Sequence, residues 1–328
     1  MSKQECGTPW PLELVVAQAT PLTAEVRQIK LRAADGGALP AFAPGAHIAI
    51  RVSHHGTGGT AQRAYSLVNS TTCPDTYEIA VKHETAGAGG SRFMHALVPG
   101  DSVRASMPKN DFGLHQAPHQ AVLIAGGIGI TPILSMARWL DRAGQSFHLH
   151  FAARTPQAMP YRDEAQALGG DRATLYFDHG DPSRGMPLAR ILGAPDAGRH
   201  VYVCGPQPLV DAVVSTVRAL GWPARNVHLE RFGTTTPQSG DQACRVVLAR
   251  SGITLDVPAA QTILDAMIDA GLDPMFDCRR GECGVCAQRV LCGEPDHRDY
   301  ALSAEQQDVD RLICVCVSRA RGELVLDA

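Results

Sequence analysis

The apolar and polar positions divide the chain into a β-rich start, an alternating middle and a short mixed end. Up to about residue 115, LELVVAQA, EVRQIKLRA, HIAIRV, AYSLVN and YEIAVK are short strand candidates separated by Gly, Pro and polar turns. Strands this closely spaced predict a closed or nearly closed antiparallel barrel. From about 118 to 231 the pattern changes. AVLIAG, FHLHFAAR, TLYFDHG and HVYVCG read as strands, and ITPILSMARWLDRAG and PLVDAVVSTVRALG read as helices. Alternating strands and helices predict a parallel sheet with crossover helices. The run FGTTTPQSGDQ, rich in Thr, Gly, Ser and Pro, reads as a linker. Beyond it CRVVLARSGITLDVP reads as a hairpin and QTILDAMIDAG as a helix stopped by Gly271. The predicted organisation is a β domain over 1–115, an α/β domain over 116–231, a linker over 232–242 and an α+β domain over 243–328.

Composition narrows the setting. A chain of 328 residues accommodates two or three domains with separate cores. A net charge of -3 gives no basis for binding nucleic acid or an acidic membrane surface. No run of about 18 apolar residues could span a bilayer. The start, MSKQECGTPWPLELVV, lacks the basic and apolar regions of a signal peptide. Ten cysteines without such a signal point to a reducing compartment, where thiols serve metals. The expectation is a soluble, cytoplasmic protein, monomeric by default.

The chemistry is concentrated in cysteine. Cys278, Cys283 and Cys286 lie in DCRRGECGVC with spacing C-x4-C-x2-C, and further cysteines follow in LICVCVSRA. This is the spacing of a plant-type [2Fe-2S] loop, completed by a distant fourth cysteine. Gly281 and Gly284 fall where the loop must curl tightly around the cluster. A structural zinc site pairs C-x2-C units with a second pair or with histidines, and no such pair follows. A disulfide framework suits small secreted chains instead. Both Cys314 and Cys316 are candidates for the fourth ligand, and strand alternation puts them on one face. Cys292 reads as a small buried apolar residue.

A one-electron cluster needs a source of electrons. AVLIAGGIGITPIL (121–134) sets Gly126, Gly127 and Gly129 between a strand and a helix, with Thr131 suited to an N-cap and Pro132 to the first helical position. Such a helix start offers free N–H groups to a pyrophosphate. A tight turn without a ligand is the alternative. VYVCGPQPLV puts Cys204, Gly205 and Pro206 at the end of a buried strand, where a nicotinamide could lie. Asp178 closes TLYFD and could accept from an adenosine ribose, favouring NADH; it could equally cap a turn.

Reduced nicotinamide gives a hydride, whereas the cluster takes single electrons. A flavin converts one into the other. In RAYSL (63–67), Arg63 can pair with a phosphate, and Arg63 and Tyr65 share a strand face opposite Ser66. GGSRFMHALVPG (89–100) joins a Gly pair and Ser91 to a short helix, a second phosphate cradle. Taken alone, R-x-Y-S is an ordinary amphipathic strand; its place upstream of a nucleotide-type turn and an iron–sulfur loop favours the flavin.

The motifs RAYSL, AVKHETAGAGGS, GGIGITP, FDHGDP, VYVCGPQ, HLERFG, CRRGECGVC, GEPDHRD and CVSRA, in that order, make the chain resemble the reductase components of Rieske aromatic oxygenases. More narrowly it is similar to the phthalate dioxygenase reductase and vanillate demethylase reductase family. The resemblance implies an FMN-binding antiparallel barrel, a ferredoxin-reductase-like nicotinamide domain and a C-terminal β-grasp plant-type ferredoxin. It assigns Arg63, Tyr65, Ser66, Val81 and Lys82 to the flavin and Gly89, Gly90 and Ser91 to its phosphate. It places Thr131 and Phe232 near the reacting rings. It gives Gly127, Asp178, Cys204, Gly205 and Pro206 to NADH, and Cys278, Cys283, Cys286 and Cys316 to iron.

The expected function is electron transfer from NADH to FMN to [2Fe-2S] and on to a terminal Rieske-type oxygenase or demethylase. The alternatives are a self-sufficient NADH oxidoreductase without an oxygenase partner, or the reductase of a haem monooxygenase. Docking is expected around Arg279, Arg280, Glu282 and the DHRD segment (296–299), with a solvated surface as the alternative.

Overall fold

The computed structural model describes residues 10–53, 60–69, 74–85, 89–117, 120–232, 240–281 and 283–328. Most of the expected linker (233–239), Glu282 and residues 86–88 of the AVKHETAGAGGS motif lie outside the described residues. The chain forms two compact units, Met1–Glu230 and Arg231–Ala328.

The first unit opens with β1 (Leu12–Pro21), β2 (Val26–Ala33), β3 (His47–Ser53), β4 (Thr60–Ser66), β5 (Tyr77–Lys82), helix α1 (Gly90–Ala96) and β6 (Ser102–Ala105). They form a six-stranded sheet ordered β4-β3-β6-β1-β2-β5. Its described pairings are all antiparallel, and β1 carries a bulge between Val16 and Gln18. Alternate residues point inward, so Leu14, Val16, Ile29, Leu31, Ile48, Ile50, Tyr77 and Ile79 are buried. Each such side chain contributes about 2 kcal/mol by leaving water. The strand expected as AYSLVN starts earlier, at Thr60, and ends at Ser66. Leu67 to Asn69 have another task, which is to close the barrel. Val68 N donates to Glu78 O (2.8 Å), and Asn69 bridges Thr76 O (2.7 Å) and Glu78 N (2.9 Å). The edge of β5 is thereby paired instead of open.

The same unit continues with β7 (Gln120–Gly126), α2 (Ile130–Arg142), β8 (Phe147–Ala153), α3 (Arg162–Gly169), β9 (Ala173–Phe177), α4 (Leu188–Leu192), β10 (Arg199–Gly205), α5 (Gln207–Ala219) and β11 (Val227–Arg231). Their sheet has the order β11-β10-β7-β8-β9, and the β10·β7, β7·β8 and β8·β9 pairs are parallel. From β7 the chain builds outward through β8 and β9, then crosses to the other side of β7 for β10. The order therefore reverses between β7 and β10, where a doubly wound sheet binds its ligand. Phe147, Leu149 and Phe151 join the core with Ile133, Met136 and Leu140 of α2.

The second unit holds β12 (Cys244–Leu248), β13 (Ile253–Val257), α6 (Ile263–Asp269), β14 (Ala287–Asp296), α7 (Ala304–Asp308), β15 (Leu312–Cys314) and β16 (Arg319–Leu326). The sheet order is β13-β12-β16-β14-β15. β12 and β16 run parallel, and the β12·β13, β14·β16 and β14·β15 pairs are antiparallel. This is a β-grasp sheet. Thr262 caps α6 by accepting from Asp265 N (3.0 Å), and Gly271 ends it at φ +81. Ile263, Leu264 and Met267 of α6 are buried in the core with Val246, Val290 and Leu324. The buried Arg319 binds the carbonyls of Gln242 (2.9 Å) and Pro258 (3.1 Å). One cation thus ties together backbone groups on either side of the β12–β13 hairpin.

Candidate functional site

The glycines of the first unit fall into two groups. Some are required by space. A Cβ on Gly129 would stand 2.3 Å from the Cys204 carbonyl oxygen, and one on Gly205 would meet Gly126 N at 3.0 Å. A Cβ on Gly126 would meet Pro206 Cδ at 2.8 Å. The turn after β7 and the turn after β10 therefore interlock backbone against backbone, and GGIGITP and VYVCGPQ form one crevice. Gly127 is required by conformation. Its φ is +53, and a Cβ there would meet nothing within 4 Å. The peptide surface beside it is open to a ligand, which suits the pyrophosphate of a dinucleotide.

The start of α2 differs from expectation. Gly129 occupies the cap position, and Thr131 is the second helical residue. The buried Thr131 hydroxyl donates backward to Ile128 O (3.1 Å), bracing the glycine turn. Pro132 is then the third helical residue, still among the positions whose N–H has no helical partner. Cys204 is fully buried at the end of β10. Asp178 follows β9, the edge strand, away from the β7–β10 crevice, and its Oδ1 accepts from Gly180 N (2.8 Å). It caps a turn here. Phe232 follows β11, is 39% exposed and falls in the second unit.

In the barrel, β4 brings Arg63 against the start of α1. A Cβ on Gly90 would stand 3.0 Å from Arg63 Cγ and 3.1 Å from Arg63 Nε. Gly89 precedes the helix in a left-handed conformation, φ 90. The guanidinium and the glycine pair thus share one surface. Burial pushes the Tyr65 phenol far above its usual range, with the nearby Arg63 charge opposing. Ser66 is buried and its hydroxyl has no hydrogen-bond partner. An orphaned buried hydroxyl at the end of the same strand suits a polar group such as a flavin ring. On β5, Val81 O accepts from His95 Nε2 (2.8 Å), and Lys82 pairs with Glu84 (3.1 Å). The Ser91 hydroxyl accepts from Glu84 N (3.0 Å), so it closes the loop before α1.

A seam that the sequence did not disclose joins the two binding surfaces. Arg138 of α2 donates to Val68 O (2.9 Å) and to Glu164 (2.7 Å), and lies 3.7 Å from Glu78. Gln28 Nε2 adds a bond to Glu78 (2.8 Å). Nothing in an amphipathic helix marks Arg138 as different from a solvated arginine.

In the second unit the loop after α6 gathers the sulfurs. Arg280 N donates to Cys278 Sγ (3.3 Å). Burial raises the Cys283 thiol, backbone hydrogen bonds at Cys278 and Val285 oppose it, and the Cys278 side chain adds to the rise. Hydrogen bonds from the Cys314 and Cys316 thiols hold Cys286 down to about 3. The direction favours the thiolate, the form that binds iron. Cys316 is raised by its bond to Cys286 and also by the charge of Cys278. Among the described residues no three His, Cys, Asp or Glu side chains close on one point as a single ion demands. The sulfurs form two neighbouring groups, Cys278 with Cys283 and Cys286 with both Cys314 and Cys316.

Several expectations change here. β15 ends at Cys314, so Cys316 lies in the following turn and strand alternation does not relate the two. Cys292 is exposed, because the register of β14 shifts between Val290 and Cys292. The DHRD segment is tied into the fold. Asp299 is buried and accepts from the Ser318 hydroxyl (3.1 Å) and Leu302 N (3.1 Å). Arg298 forks onto Asp241 (2.7 Å) and Asp296 (2.6 Å). A Cβ on Gly281 would stand 2.7 Å from Val317 Cγ2 and 3.1 Å from Asp299 Cα, so this segment fixes the loop at its glycine.

Comparison with known proteins agrees with both units. A family described as "2Fe-2S iron-sulfur cluster binding domain" matches residues 246–321, and one described as "Oxidoreductase NAD-binding domain" matches residues 123–215. Phthalate dioxygenase reductase of Burkholderia cepacia is 36% identical over 326 residues, covering 96% of this chain and 97% of that one. The carnitine monooxygenase reductase subunit of Escherichia coli (strain K12) is 38% identical over 320 residues, covering 96% and 98%. The solved structure of phthalate dioxygenase reductase, described as a modular structure for electron transfer from pyridine nucleotides to [2Fe-2S], matches with a TM-score of 0.69 at 36% identity. It covers 97% of this chain and 98% of its own. With barrel, nucleotide crevice and sulfur loop in one polypeptide, the chain belongs to the phthalate dioxygenase reductase family of oxygenase reductases.

Proposed function

We propose that this chain moves electrons from NADH through FMN to a [2Fe-2S] cluster and then to a Rieske-type oxygenase or demethylase. The observation that carries the reading is the gathering of Cys278, Cys283, Cys286 and Cys316 in the second unit. A single-electron centre separates an oxygenase reductase from a plain NADH oxidase. Arg63, Tyr65 and Ser66 would hold the flavin, with the backbone of Val81 and Lys82, and Gly89, Gly90 and Ser91 would hold its phosphate. Gly127, Gly205, Pro206 and Asp178 would hold NADH, with Thr131 and Cys204 beside the reacting ring. Support for Phe232 is the resemblance of HLERFG alone.

When bound, FMN accepts electrons in a pair and releases them singly. The protein's part is to bind, orient and screen. Arg63 supplies the countercharge for a phosphate, pressed against Gly90 where no side chain intervenes. The Ser66 hydroxyl offers a donor and an acceptor already stripped of water. The interlocked glycines let the nicotinamide end approach closed backbone instead of mobile side chains. Both Cys314 and Cys316 bond to Cys286, and Cys316 is favoured as fourth ligand because it also feels the charge of Cys278. A reducing cytoplasm, where thiols serve metals, suits a chain whose cysteines gather around one loop. The protein acts as a monomer in this reading. Among the described residues no helix is long and apolar enough to cross a membrane.

The test is an anaerobic NADH titration of the reconstituted protein, followed by absorbance. Flavin and [2Fe-2S] bands should bleach together. In Cys283→Ser the flavin should still bleach while transfer to the oxygenase stops. Loss of flavin bleaching in that variant, with the fold intact, would overturn the order of carriers.

A further inference from the structure

A cavity of about 440 Å³ opens on one face of the parallel sheet, and nothing in the electron path uses it. Its lining includes Val122 of β7, His148 and His150 of β8, Tyr176 of β9, Arg190 of α4 and Arg199 of β10. Arg199 begins β10 and Cys204 lies near its other end, so the cavity sits toward the opposite end of the strands from the glycine crevice.

The sequence of β8 already departs from a buried parallel strand, which is apolar on both faces. Phe147, Leu149 and Phe151 enter the core beneath α2, while His148 and His150 line the cavity. The lining carries two arginines and two histidines, and among the described residues no Asp or Glu lines it. Arg199 donates to Leu192 O (3.0 Å), and its guanidinium carbon lies 5.5 Å from the centre of the Trp222 ring. Its Nε is nevertheless a buried donor with no acceptor among the described residues. A buried cationic donor left in this state is a standing cost that an anion would remove.

Three of the remaining lining residues, His148, His150 and Tyr176, carry flat rings, beside Gln120, Val122, Thr174 and Ile191. His150 Nδ1 lies 3.1 Å from the Tyr176 hydroxyl, with ring centres 6.0 Å apart. His148 and His150 stack at 6.5 Å. Burial, with the charges of His148 and Arg199, holds His150 down to about 4, so it stays neutral near pH 7. The permanent positive charge is that of Arg190 and Arg199.

We infer that this cavity is a second ligand site, separate from the nicotinamide crevice, for a small planar anion. The ligand is a flat ring bearing a carboxylate or a phosphate, its charge met by Arg190 and Arg199 and its ring by His150 and Tyr176.

Trp222, beside Arg199, provides the readout. Trp10 and Trp139 are changed to Phe, leaving Trp222 as the sole tryptophan of the three in the holoprotein. Benzoate and phenyl phosphate are titrated separately, to tell a carboxylate from a phosphate, with inorganic phosphate and benzyl alcohol as partial ligands. The expected result is a saturable fluorescence change and a rise in Tm with one of the two ring anions. Arg190→Gln, at an exposed position, should weaken that binding about tenfold or more. Neither partial ligand should match the whole. The inference is overturned by no saturable change up to about 10 mM, a millimolar dissociation constant being the weakest that matters here. It is also overturned by a change that Arg190→Gln leaves intact, or by one that NAD⁺ competes away.

Discussion

The Arg138 guanidinium donates to the Val68 carbonyl across 2.9 Å. That bond ties the helix that starts at the nucleotide turn to the residues that close the barrel, two positions beyond Ser66. Arg138 also stands beside Glu78, whose carbonyl receives Val68 N. The spacing between the two binding surfaces is thus held by a half-buried cation and not by apolar packing alone.

Arg138→Met should disturb that spacing without emptying either site. NADH-driven flavin bleaching in stopped flow is expected to slow about ten- to a hundredfold, as small misplacements of reacting groups do. Flavin content should hold. Stability should fall by about 2 kcal/mol, because Glu78 loses its cationic neighbour. Bleaching at the normal rate would mean that the seam does not set the geometry.

Gly129→Ala and Gly127→Ala should separate space from conformation. The first drives a methyl into the Cys204 carbonyl and should cost about 3 kcal/mol while raising KM for NADH. The second meets no atom but pays for a left-handed alanine, about 1–2 kcal/mol. Urea midpoints and NADH kinetics together give the ranking, and equal costs would contradict the interlock.

Cys316→Ser should abolish the cluster, measured as iron and acid-labile sulfide per chain. Cys314→Ser should retain it, and Cys292→Ser should behave as the parent. Full iron in Cys316→Ser with loss in Cys314→Ser would move the fourth ligand into β15. Zinc in place of iron in the parent protein would end the cluster reading.

Acid should weaken the first unit through His150. Its imidazole titrates at 6.5 ordinarily and at about 4 in the fold, chiefly because it is buried. Between those values the unfolded chain takes up a proton that the folded chain refuses. Stability present above 6.5 is therefore lost as the pH falls toward 4. His150→Gln should flatten that fall by one proton's worth, read from urea midpoints near pH 7 and pH 5. An unchanged slope would show that other groups dominate.

What the sequence disclosed were local signals. The C-x4-C-x2-C spacing, the glycine run after AVLIAG and the alternation in β1 to β3 need no knowledge of distant partners. What it hid depends on such partners. β6 has only four residues and takes its place from pairing with β1, nearly the whole barrel away in sequence. Leu67 to Asn69 look like more strand and instead close the barrel. Cys292 looks like core until a bulge turns it outward, and Asp299 looks solvated until Ser318 buries it. Arg138 carries no sign at all, because its role exists only once Val68 arrives beside it.

The parallel partnership of β12 and β16 has a consequence for biosynthesis. β16 is the middle strand of its sheet, yet it follows all four proposed iron ligands in the chain. A nascent polypeptide therefore displays four thiols before the platform that organises them exists. Whatever machinery delivers iron and sulfide must wait for that strand, or must itself hold the thiols apart from oxidants in the interval. Reduced temperature and ample iron supply during expression should accordingly raise the fraction of chains that mature with their metal.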